Sequence, residues 1–172
     1  PPALYVCTGS FQRAISFDFQ TRNDYIYIMT RNELLAYAAG VIDGEGCISI
    51  NRAGHNLNYY NASLIVAMRD VEAVQVLCQL WGVPMRFWRA NRMYAFCPQP
   101  CLLTPILLEV EPFLQIKHKQ SKVVREFLEH KAKRRYNRSY PPGESVLAYR
   151  KQLWQQCALL KRLGRTNILS SA

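Results

Sequence analysis

The sequence predicts an α+β fold with a single core, and three observations carry that prediction. Its 172 residues suit one domain, since domains usually run to ~100–200 residues. Thr30-Arg-Asn-Glu33 has the spacing of a capping box, in which the threonine hydroxyl and the glutamate carboxylate each satisfy an orphan backbone N–H, so a helix begins at Arg31. Beyond it the apolar period switches between 3.6 and 2, giving the order helix, hairpin, helix, hairpin and then further helices.

Residues 1–29 read as an N-terminal extension of short β-prone pieces, Ala3–Cys7, Ala14–Phe19 and Tyr25–Met29. The core follows over residues 30–138. Its first helix runs from Arg31 to Asp43, where Gly44 and Gly46 stop it. Ala36 and Gly40, four apart, share a side with almost no bulk, and Ala39 shares it in part, so another backbone can approach closely there. Strands over Cys47–Asn51 and Tyr59–Arg69 form a hairpin around Ala53–Asn56. Asp70 opens a second helix to Leu80, closed by Trp81-Gly82, and Val83–Arg89 with Arg92–Cys97 make a second hairpin around Ala90-Asn91. A short helix near Leu102–Val110, the segment Glu111–Gln120 and a helix from Ser121 to about Lys133 complete the core. After Pro141-Pro-Gly143 a last amphipathic helix spans Glu144–Leu163, within a C-terminal helical extension over residues 139–172.

Lys and Arg total 22 against 12 Asp and Glu, a formal charge of +10 that favours a polyanionic partner. Charge alone does not say which, because ribosomal proteins, RNA binders and membrane-surface proteins share it. The six cysteines lack the paired CxxC spacing of a zinc ribbon and read as structural thiols. No stretch reaches the ~18–20 apolar residues of a membrane-spanning helix, and the Pro-rich start lacks a basic region followed by an apolar run. A soluble, intracellular protein with no membrane partner is expected, cytoplasmic or organellar without distinction.

The informative segment is Ala38-Ala-Gly-Val-Ile-Asp-Gly-Glu-Gly46. It resembles the signature of the LAGLIDADG homing endonucleases, matching at Ala39, Gly40, Ile42, Asp43 and Gly46. The αββαββα order over residues 31–133 is that family's core. A second echo is Glu111-Pro-Phe-Leu-Gln-Ile-Lys-His-Lys-Gln120, similar to a stretch that single-motif members carry with a basic residue near the scissile phosphate. The resemblance implies a LAGLIDADG homing endonuclease fold with a curved antiparallel DNA-binding sheet. It further implies a homodimer that cuts both strands of double-stranded DNA across the minor groove, leaving short 3′ overhangs.

Phosphodiester hydrolysis needs activated water, neutralised charge on the phosphorane and help for the departing 3′ oxygen, all of which a hard divalent cation supplies. Mg²⁺ takes oxygen ligands and often only one or two carboxylates, so one acid per subunit suffices; Mn²⁺ could replace it. By the resemblance Glu45 is the metal ligand, with Gly44 lending its carbonyl, although Glu stands where Asp is more frequent. Lys117 is the implied active-site lysine and Lys119 a second candidate, the alternative being a solvated basic patch. Ala36, Ala39, Gly40 and Asp43 are assigned to the dimer interface; Asp43, in the last helical turn, would oppose the helix dipole unless it meets donors from a facing helix.

Strand parity divides the hairpins. Asn51, Asn61, Ser63 and Arg69 fall on one parity, while Ile48, Ile50, Leu64, Val66 and Met68 fall on the other and belong to the core. Arg86, Arg89 and Arg92 come from the second hairpin. Arg pairs with guanine and Asn with adenine in the major groove, which a two-stranded ribbon can enter. Ile65 and Ala67 weaken the parity, though apolar contact with thymine methyls is a legitimate readout. Lys131, Lys133, Arg134, Arg135 and Arg138 contact phosphates or only solvent. His55, His118 and His130 show no metal-ligand spacing. The rival function is a nucleic-acid-binding protein of the same fold without nuclease activity, an RNA splicing maturase or a transcription regulator.

Overall fold

The computed structural model describes residues 29–53, 59–133 and 142–169, with Ala53 and residues 164–169 described through their backbone alone. The extension over residues 1–28, the hairpin turn with His55, and Arg134, Arg135 and Arg138 lie outside the described residues.

Helix α1, Arg31–Glu45, begins at the expected capping box: Thr30 Oγ1 accepts from the Glu33 N–H at 3.3 Å, and Glu33 Oε2 accepts from the Thr30 N–H at 2.6 Å. It ends two residues later than expected. Gly44 is helical, and Gly46 makes the break as the first residue of strand β1, Gly46–Ala53. A Cβ on Gly46 would lie 2.5 Å from the Ile42 carbonyl oxygen and 2.8 Å from its Cα, so only glycine lets the helix pass directly into the strand. Leu35, Ala38, Ala39 and Ile42, at helical spacing, form the buried stripe of α1. Ala39 therefore corrects an expectation: its methyl is fully buried in the chain's own core, while Ala36 and Gly40 stay exposed.

Strand β2, Tyr59–Met68, pairs antiparallel with β1. Helix α2, Val71–Trp81, is capped by Asp70, whose carboxylate accepts the Glu72 and Ala73 N–H groups, and Gly82 ends it in the left-handed conformation at φ 62°. The second hairpin is shorter than expected, with β3 at Arg86–Trp88 and β4 at Met93–Phe96 around the turn 89–92. Helix α3, Pro100–Val110, starts at a proline suited to a first helical position and leads into a single 3₁₀ turn, Glu111–Phe113. Helix α4 spans His118–Lys133 and begins three residues before the expected Ser121; helix α5 spans Glu144–Leu169.

The described strands form a four-stranded antiparallel sheet in the order β1-β2-β4-β3. The parity assignment holds: Ile48, Ile50, Leu64 and Val66 are buried with Phe96 against the helices, and Met68 is partly buried beside them. Leu103, Ile106, Leu107 and Val110 of α3 and Val123, Val124 and Phe127 of α4 fill the same core. Helix α5 joins it through Leu153 and Cys157. It runs along β1, and burial pushes the Cys157 thiol pKa up, against a smaller lowering effect from the Ile50 main chain. Among the described residues no helix is long and apolar enough to cross a membrane.

Candidate active site and nucleic-acid interface

The C-terminal end of α1 should be unstable as written, because an aspartate sits in the last turn with no basic residue to offset it. The segment after the 3₁₀ turn resolves this. Asp43 Oδ2 accepts from the backbone N–H groups of Gln115 at 2.7 Å and Ile116 at 3.1 Å, and Oδ1 accepts from that of Lys117 at 2.8 Å. These three donors lead into α4, so the carboxylate tied to the negative end of one helix lies at the positive end of another. Asp43 was expected at a dimer interface; within the chain its carboxylate serves this loop.

The same segment returns a cation to α1. Lys117 Nζ donates to the Ile42 carbonyl at 2.9 Å, which also accepts the Gly46 N–H, and to the Asp43 carbonyl, adding a cationic donor at the end of α1 where helix carbonyls run short of partners. Burial pushes the Lys117 pKa down; Asp43, Cys47 and Glu45 pull it back up, and Lys161 adds to the downward push. The ammonium thus lies within electrostatic reach of Glu45. Glu45 itself is exposed at the helix terminus, as is Gly44, and a Cβ on Gly44 would meet nothing within 4 Å. Lys119 is exposed on the first turn of α4.

Among the described residues no three His, Cys, Asp or Glu side chains converge on one point. The donor set is therefore no self-contained metal cage. One open carboxylate at the end of a helix fits Mg²⁺, whose remaining ligands are commonly phosphate oxygens and water.

Register carries the polar face across the sheet. Asn51 lies opposite Asn61, and Ser49 opposite Ser63. Asn51 Nδ2 donates to Ser63 Oγ at 2.8 Å, the two serine hydroxyls are 3.0 Å apart, and Lys131 Nζ donates to Asn61 Oδ1 at 2.7 Å. Burial pushes the Lys131 pKa down, with Arg150 acting in the same direction. Arg86 stands in the row of Ala67 and Ala95, which puts its exposed side chain on this face. Arg69, at the end of β2, is exposed too. Arg89 and Arg92 are exposed in the turn between β3 and β4, where Arg92 takes an uncommon positive φ of 50°. Trp88 lies opposite Met93 and is partly buried.

Two groups absent from the sequence expectations join the site. Ser49 was legible, since it shares the parity of Asn51. Lys161 was not: it comes from α5, and its Nζ lies 2.9 Å from Cys47 Sγ at the start of β1.

Two solved structures of the homing endonuclease I-CvuI resemble the chain. One, in complex with the I-CreI target (C1221) in the presence of 2 mM Mg with the DNA not cleaved, has a TM-score of 0.59 and 26% identity, covering 73% of this chain and 80% of that one. The other, in complex with its target Sro1.3 in the presence of 2 mM Ca, has a TM-score of 0.61 and 25% identity, covering 76% and 83%. No protein-family model and no curated protein matches the sequence.

Proposed function

Because the chain belongs to the LAGLIDADG homing endonuclease family, we propose that it is a site-specific endonuclease that makes double-strand breaks in a long, near-palindromic DNA target. The observation that carries this reading is the mutual docking of Asp43 and Lys117, which holds an ammonium within electrostatic reach of the open carboxylate of Glu45. A generic helix terminus needs neither an exposed acid nor a lysine imported from 74 residues away.

In this reading Glu45 and the Gly44 carbonyl hold a divalent cation, Mg²⁺ or Mn²⁺. When bound, the cation supplies charge neutralisation at the phosphate and lowers the pKa of water. Lys117 stabilises the negative charge that develops on the scissile phosphate, and Lys119 approaches the same phosphate from the solvent side. Asn51, Asn61, Ser63 and Arg86 meet base edges, while Arg69, Arg89, Arg92 and Lys131 contact the backbone or flanking bases. Asn51 and Ser63 are tied to one another before DNA arrives, so the face enters the groove partly organised.

One acid per chain cuts one strand, so double-strand cleavage calls for two copies. The exposed face of α1 formed by Ala36, Tyr37, Gly40 and Gly44 is the proposed contact, each copy meeting the same surface on its twin. The rival reading, a non-cleaving nucleic-acid-binding protein, draws on one observation: both carbonyls that Lys117 engages belong to the fold, so the lysine has a structural use without any phosphate.

Incubating the protein with a randomised duplex library and Mg²⁺ and sequencing the cut ends separates the two. Cleavage at a near-palindromic site, abolished by Glu45→Gln while binding in Ca²⁺ persists, is the expected result. Specific binding with no cut ends, or undiminished cleavage by Glu45→Gln, would overturn the endonuclease reading or its metal ligand respectively.

A further inference from the structure

Helix α5 belongs to the C-terminal extension, yet it reaches the candidate active site. Trp154 packs on Tyr60 and lies under the Arg52 guanidinium at 5.3 Å, Cys157 meets the Ile50 main chain, and Lys161 meets Cys47. The order along the helix reverses the order along β1, so the two run antiparallel. The later turns of α5 thereby approach the end of β1 where Cys47 follows Glu45 by two residues.

What Lys161 finds there does not match its charge. Its ammonium is partly buried, and its hydrogen-bond acceptor among the described residues is the Cys47 sulfur, a weak acceptor. No carboxylate within salt-bridge distance of it is found among the described residues, whereas Arg31 and Arg125 have Glu109 and Glu111. Lys161 also lies close enough to Lys117 for the two positive charges to oppose one another. Two ammonium groups within electrostatic reach of one another are an unfavourable arrangement until a polyanion arrives, and then a favourable one.

We propose that Lys161 binds a phosphate oxygen of the bound duplex next to the Glu45–Lys117 site, so that α5 is part of the cleavage site as well as a cover for β1. This rests on the endonuclease reading above. Cys47 holds the ammonium near its working position in the free protein, and the phosphate oxygen replaces the sulfur as acceptor.

The test compares the parent with Lys161→Met, Lys161→Gln and Lys161→Arg. Single-turnover cleavage is followed in Mg²⁺, equilibrium binding in Ca²⁺ is measured across a salt series, and thermal melts verify folding. Met and Gln are expected to slow cleavage by about a hundredfold. They should also reduce the slope of log K against log salt by about 0.9, the signature of one lost phosphate contact. Arg, which keeps the charge and the donors, should restore both. Parental rate and slope in both neutral variants would overturn the proposal, and so would a slower rate at unchanged slope that Arg fails to rescue, because that pattern belongs to packing. A parent that cuts no duplex, with a slope that still falls on removing Lys161, would sink the endonuclease reading and leave the phosphate contact standing.

Discussion

Asp43 and Lys117 hold each other in both directions: the Asp43 carboxylate accepts the Lys117 backbone N–H at 2.8 Å, and the Lys117 ammonium donates to the Asp43 carbonyl. The pair fixes the loop before α4 against the end of the motif helix, and through it the distance from Lys117 to Glu45.

Asp43→Ala removes the acceptor of three backbone N–H groups. The expected loss of stability is about 2–4 kcal/mol, with the exposed donors partly recovered by water. Asp43→Asn keeps one oxygen and should lose less. Urea unfolding at neutral pH measures both, and an Ala variant as stable as the parent would show that the loop is held by other means.

Lys117→Met is expected to slow single-turnover cleavage by about 10²–10³-fold while specific binding in Ca²⁺ changes little. It should also cost about 1–2 kcal/mol of stability, because the Asp43 carbonyl loses the ammonium and the Ile42 carbonyl is left with the Gly46 N–H alone. A variant with a normal cleavage rate and weaker, less salt-sensitive binding would assign Lys117 to phosphate anchoring instead.

Gly40 and Gly46 predict opposite behaviour within one motif. A side chain at Gly46 collides with the Ile42 backbone, so Gly46→Ala should cost about 1–3 kcal/mol of folding stability and displace Glu45. A Cβ at Gly40 meets nothing within 4 Å inside the chain, and Gly40→Leu should stabilise the isolated subunit by up to about 1 kcal/mol through helix propensity. The same leucine should weaken the proposed dimer. Sedimentation of parent and variant at micromolar concentration, paired with unfolding curves, separates the two effects; a variant dimer of parental strength would remove α1 from the interface.

Glu109 accepts the Trp81 indole N–H at 2.8 Å and pairs with Arg31 at 2.9 Å. The Trp81 hydrogen bond, with a smaller contribution from Arg31, holds its carboxyl below the ordinary 4.5 despite an opposing effect of burial. A depressed folded-state pKa gives stability that is present above the unfolded value and lost as pH falls through the folded one. Glu109→Gln should therefore be less stable than the parent at pH 7 by under about 1 kcal/mol, since solvent reaches more than a third of the side chain and screens the charge, and equal to it in strong acid. A gap that persists unchanged into acid would mean that packing, not charge, separates the two.

Local rules made much of this legible in the sequence. The capping box, the α2 caps and the strand parity each depend on residues within a few positions of one another, and each stands in the structure. Features set by distant partners were harder to read. The start of α4 at His118 has no local capping signal, because the acceptor for the preceding N–H groups is Asp43, far earlier in the chain. Ala39 was misplaced because small size alone does not say whether a helix face meets its own sheet or a twin; the stripe Leu35–Ala38–Ala39–Ile42 decides it. Lys161 required knowing where α5 lies, and nothing near position 161 encodes that.

The lie of α5 along β1 has a further consequence, for how copies of this chain can meet. A sheet grows by adding strands to an exposed edge, the route by which native proteins slip into fibrils. Among the described strands one edge is β1, against which α5 packs through Trp154, Cys157 and Lys161. The opposite edge, β3, is three residues long and carries Arg86. Among the described strands, then, one border is packed against by a helix and the other is short and charged, which leaves neither a ready template for a further strand.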